Sequence, residues 1–202
     1  MIDHVFSDSI GALREALETA RLERQNLEES FYTDLLVGNT FWRASYSLPG
    51  EGNPPRIHCD LALEWPTWSQ TSYRQWCKDG ELIEPPEIIV GVVLRVQRLA
   101  EEPNPIEILQ KLPAQPPRLD GQILEKGGPT IETIYEVDKN NNLRDPEWAI
   151  EVSFDGTYEL NERILEDGSE LDEQFGQLGV WVSSALVQLG DLKFKYKPAI
   201  RK

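Results

Sequence analysis

The sequence predicts an α+β fold: an antiparallel sheet with two long amphipathic helices, about 9–37 and 170–189, packed on one face. Apolar residues recur at helical spacing near both ends of the chain. Between those ends, several segments alternate apolar and polar residues. Turn-forming clusters separate them, as in hairpins and meanders. At 202 residues the chain is expected to form a single domain over 1–202.

The first helix rests on Ile10, Leu13, Leu17, Ala20, Leu27, Phe31 and Leu35, with Arg24 interrupting the stripe. Ser7 or Ser9 is its candidate N-cap and Gly38-Asn39 its stop. In 40–48, Trp42, Ala44, Tyr46 and Leu48 alternate with mostly polar residues. In 57–65 the alternation is strict: Ile57, Cys59, Leu61, Leu63 and Trp65 share one side, and His58, Asp60, Ala62 and Glu64 the other. One side of the sheet is therefore expected to be buried and the other wet. A short helix follows, capped by Ser69 and ended by Asp79-Gly80. Residues 88–98 form a continuous β-branched run that periodicity alone leaves between strand and helix. Its composition favours a strand.

Residues 103–117 hold five prolines and are expected to connect elements while packing onto the body. Beyond them, Ile131, Thr133, Tyr135 and Val137 are expected to share a face, as are Trp148, Ile150, Val152 and Phe154. Asp155-Gly156 predicts a hairpin, with a three-residue loop at 155–157 that keeps Phe154 opposite Tyr158. Leu171, Phe175, Leu178, Val182, Leu186 and Leu189 give the second helix, opened by a capping-box-like Ser169 and Asp172 and ended by Gly190. In 192–198, apolar residues alternate with lysines, the pattern of a protected edge strand.

Charge narrows the function classes. Twenty basic and 35 acidic residues give −15, and five of the basic ones with no acid fall in the last ten positions. Such a body repels nucleic-acid phosphates and anionic lipid, so neither a nucleic acid nor a membrane is an expected partner. No apolar run is long enough to span a bilayer and no signal-peptide pattern opens the chain, so a cytoplasmic setting is expected. Cys59 and Cys77 are read as free thiols in a reducing compartment. Phosphate loops, dinucleotide turns and nucleophile elbows are absent from the sequence. Two histidines are too few for a His-rich metal site, and no cofactor is expected. Asp138 to Asn142 starts like a calcium loop. It then has Leu143 and Ala149 where glycine and glutamate belong, so a simple Asn-rich turn accounts for it.

Three candidate sites remain. If the meander buries its apolar sets, Glu132, Glu136, Glu147, Glu151 and Glu159 face outward together. That acidic face suits a basic protein partner, and the leading expectation is a non-catalytic interaction or regulatory protein. The aromatic run Trp65, Trp68, Tyr73 and Trp76 either closes one end of the core or lines a small-molecule cavity. His58, Asp60 and Glu64 on one strand face are candidate ligand-binding groups, or the acid–base groups of a hydrolase-type enzyme.

Overall fold

The computed structural model of this chain describes residues 4–25, 30–120, 122–135, 137 and 143–198. The chain begins with α1 (His4–Thr19), whose buried stripe is Val5, Phe6, Ile10, Leu13 and Leu17. The helix expected over 9–37 therefore starts earlier and ends eighteen residues sooner, at Thr19. Arg21 takes the left-handed conformation, at φ 60°. The Leu22 amide donates to the Leu17 carbonyl and the Arg21 amide to that of Glu18. Those two bonds satisfy orphan carbonyls of the last turn, and the pair Leu17/Leu22 is buried alongside them. The chain then lies along the sheet edge as β1 (Glu23–Arg24) and β2 (Ser30–Thr33).

Next come β3 (Thr40–Ser47), β4 (Ile57–Trp65), α2 (Thr67–Asp79), β5 (Glu87–Leu99) and α3 (Pro105–Lys111). The β-branched run at 88–98 is a strand, as its composition predicts. Gly80, at φ 73°, ends α2. Ser69 does not cap that helix. Its buried hydroxyl instead accepts from the Glu87 amide at 2.9 Å, tying α2 to the start of β5. Asn104 caps α3 through a bond from the Ile106 amide. Four short strands follow: β6 (Arg118–Leu119), β7 (Gln122–Ile123), β8 (Glu125–Lys126) and β9 (Thr130–Ile134). The long β10 (Glu147–Glu159), α4 (Glu162–Glu166) and α5 (Ser169–Gly190) complete the series.

The main sheet has the order β1-β3-β4-β5-β10-β8, with β2 also on β3 and β9 also on β10. All its pairings are antiparallel. Ala44, Leu61, Val92 and Phe154 lie in one row across four strands, and Tyr46, Cys59, Leu94 and Val152 in the next. All are buried. Helices α1 and α5 pack together over this inner face, and α5 brings Leu171, Phe175, Leu178, Val182, Leu186 and Leu189 inward.

The hairpin expected at 155–157 does not form: β10 pairs with β5 without a break from Ile150 to Glu159. Asp155-Gly156 sits inside the strand because Gly156 occupies an inward position that Leu124 overlies. A Cβ there would meet Leu124 Cγ at 3.2 Å. Tyr135 and Val137 are more than half exposed, so the inward face of β9 ends near Ile134. The edge strand expected over 192–198 reduces to a contact of Tyr196 with Leu99. Because β4 stops at Ile57, opposite Val96, only the last residues of β5 are open on that side. There the Ala100 amide donates to the Lys195 carbonyl and the Lys197 amide to that of Arg98.

Candidate functional site

On the outer sheet face, Ser47, His58, Arg95 and Glu151 form one row and Ser45, Asp60, Val93 and Ser153 the next. This face is less wet than the alternation predicts, since His58 is only 8% exposed. Gln25 reaches in beside it to donate to Ser47 Oγ at 2.8 Å. His58 Nε2 lies 3.5 Å from Asp60 Oδ2, and Ser45 donates to Asp60 Oδ1. His58 Nδ1 is buried without a hydrogen-bond partner among the described residues. Glu64 is not part of this group. It lies four residues from Asp60 along β4, about 13 Å, and accepts from Asn39 Nδ2 at 2.6 Å.

The order of contacts limits the chemistry. Ser45 and His58 both bond to Asp60, and the carboxylate stands between them. A nucleophilic triad needs the imidazole on the hydroxyl, so this group holds a carboxylate in place instead of activating a serine. Burial pushes the Asp60 carboxyl up, but the bonds from His58 and Ser45 and the charges of His58 and Arg95 outweigh it and hold the carboxyl below its ordinary value. The linkage sign follows. Asp60 adds stability that is fully present above 3.8 and is lost as pH falls through its lowered value. Urea unfolding of the wild type and Asp60→Asn is therefore expected to differ most at neutral pH and to converge in acid. A constant gap down to pH ~2 would contradict this.

The acidic face is partly neutralised from within. Arg95 bonds to Glu151 and, at 2.7 Å, to Glu132. Glu159 lies opposite Glu87 and Glu147 opposite Ile134, at the two ends of β10. Glu136 falls outside the described residues, as does the Asp138 to Asn142 turn. The aromatic run is mostly core. Trp65 stacks on Phe6 and meets Tyr73 edge-on, and Tyr73 leans on Trp76. The Tyr73 hydroxyl bonds to the His4 ring. Trp68 is 42% exposed and stands outside these contacts.

An aromatic-lined cleft does exist, at a different place. It measures about 680 Å³ and lies between the Pro-rich segment, α5 and β8–β10. Phe154 and Trp181 form its floor, edge to face with ring centroids 4.9 Å apart. Leu109, Leu112, Pro113 and Ile123 supply apolar walls. The Pro-rich segment is held over the cleft at defined points. Trp181 Nε1 donates to the Gln115 carbonyl at 2.8 Å, and the Leu124 amide donates to that of Pro117. Lys126 stands opposite Phe154 in register and lines the rim, with no ion pair among the described residues. Glu125, opposite Asp155 in register, also lines the cleft.

Sequence reasoning missed this cleft. Trp181 lies beside the α5 stripe, not in it. The usable signal was the apolar content of 103–117, which marked a segment that packs on the body.

No family model, curated protein or solved structure matches this chain. Among the described residues, no helix is long and apolar enough to cross a membrane. Among the same residues, no cluster of three or more His, Cys, Asp or Glu is arranged to hold a metal ion. Cys59 and Cys77 are free thiols. Cys59 is buried, and burial first, then the Asp60 charge, raises its pKa well above the ordinary value.

Proposed function

We propose that this protein binds a small amphipathic acid, with the apolar body of the ligand on Phe154 and Trp181 and its acidic group at Lys126. The observation that carries this reading is the cleft of about 680 Å³. Its size falls within the ~300–1,000 Å³ of small-molecule sites, which are mostly apolar with few polar groups. Ile123 at the mouth is 53% exposed, and a ligand would cover it. Lys126 would select an acid because it is the basic side chain among the residues that line the cleft.

Decanoate and decanol separate the two parts of the proposal in a thermal-shift and calorimetric titration. Decanoate is expected to bind more tightly. A rim charge contact is worth up to ~1 kcal/mol, about fivefold. Lys126→Gln should bring decanoate down to the affinity of decanol and leave decanol unchanged. Failure of both probes to bind would overturn the reading. Equal binding of both to the wild type would remove the acid from it.

A further inference from the structure

We propose a second, independent binding site on the outer sheet face, for a zwitterion with well-separated charges, such as an ω-amino carboxylate. It is a depression of about 610 Å³ whose floor is Ala62 and Gly91, between Arg43 at one end and Asp155 at the other, with Asp60 on its rim, two residues from Ala62 along β4. The row Arg43–Ala62–Gly91–Asp155 runs straight across four strands. The two small residues in its middle leave the gap. A Cβ at 91 would make ordinary contacts with Asp155 Oδ1 at 3.4 Å and Ala62 Cβ at 3.7 Å, so a longer side chain there would take up the gap.

The walls carry opposite charges that the protein does not use up. Arg43 rests against the rings of Tyr32 and Phe41, and no carboxylate pairs with it among the described residues. Asp155 likewise has no ion pair or hydrogen bond among them. Asp60 is positioned by Ser45 and His58, and each of its oxygens keeps a free lone pair. Arg43 and Asp155 stand three strands apart, about 14 Å at the usual strand spacing, and Asp60 lies diagonal to Arg43 at about 7–8 Å. An ammonium at Asp155 and a carboxylate at Arg43 would answer both ends at once. A ligand with one charge would answer only one.

Amide NMR titration tests this with ε-aminocaproate, hexylamine and hexanoate as probes. The expected result is saturable shifts at Ala62 and Gly91, with ε-aminocaproate about fivefold tighter than either single-charge probe. Arg43→Gln should erase its advantage over hexylamine. Ala62→Leu should fill the floor and abolish binding of all three, with the melting temperature of the protein unchanged. Lys126→Gln should leave the titration as it is, which separates this site from the cleft. Absence of saturable shifts would overturn the proposal. So would equal binding of hexylamine to the wild type, which marks plain attraction to an acidic surface, or wild-type binding by a folded Ala62→Leu.

Discussion

Phe154→Ala is expected to lower the unfolding free energy by about 3–5 kcal/mol and to abolish binding in the cleft. Phe154 is 2% exposed and sits in the row Ala44–Leu61–Val92–Phe154 that α5 covers. Removing its ring takes away both a share of the core and the partner of Trp181. The surrounding strands cannot close the gap, because Phe154 is paired on both sides, to Val92 and to Lys126. Phe154→Leu separates the two effects. It keeps most of the volume and should cost less than ~1.5 kcal/mol, yet it loses the edge-to-face contact and the aromatic floor. Urea unfolding gives the first number and a decanoate titration the second. A Phe154→Ala protein as stable as the wild type would show that the inner face is not packed as described.

The second large effect lies where the two helices touch. A Cβ on Gly179 would come within 2.6 Å of Ala16 Cβ and 3.4 Å of the Leu13 carbonyl oxygen. Both atoms are fixed by the α1 backbone, so no side-chain rotation relieves the clash. Gly179→Val is expected to cost about 3 kcal/mol, at the upper end of overpacking, and to weaken the α1–α5 contact specifically. Gly179→Ala gains up to ~1 kcal/mol of helix propensity against the same clash. Combining it with Ala16→Gly should recover stability beyond additivity, because the two positions share one contact. Additive behaviour in that double-mutant cycle would place the helices farther apart than they are here.

Much of this fold was legible because each strand face has a sharp period. The alternation in 57–65 marks β4 residue by residue, and the stripe from Leu171 to Leu189 marks α5 almost to its ends. The first helix was overextended for a geometric reason. Phe31 and Leu35 continue the four-residue spacing of the stripe, but Phe31 lies on β2 and Leu35 is exposed in the turn after it, while Leu27 falls outside the described residues. Arg21 in a left-handed conformation, which glycine usually takes, concealed the break. The Asp-Gly turn signal at 155–156 misled because the glycine makes room for Leu124, a residue more than thirty positions away. No local rule reports such a contact.

The candidate sites followed the same division. His58 and Asp60 meet because two residues apart on one strand is a local relation. Trp65, Tyr73 and Trp76 do cluster, but as packing around Phe6 and His4. The glutamates of β9 and β10 share a face, and the sequence did not show that Arg95, from a third strand, would sit between Glu132 and Glu151. The cleft depends on where a Pro-rich segment is tied down, through Trp181 to Gln115 and Asp120 to Gln174. Those ties join residues more than fifty positions apart.

Methyl NMR of the intact protein with decanoate tests the ligand-binding claim most directly. The saturable shifts with the lowest half-saturation should fall on Leu109, Leu112, Ile123 and Leu124, the methyl groups around the Phe154–Trp181 floor. Shifts that fail to saturate, or that centre on the α1–α5 surface or the outer sheet face instead, would contradict it.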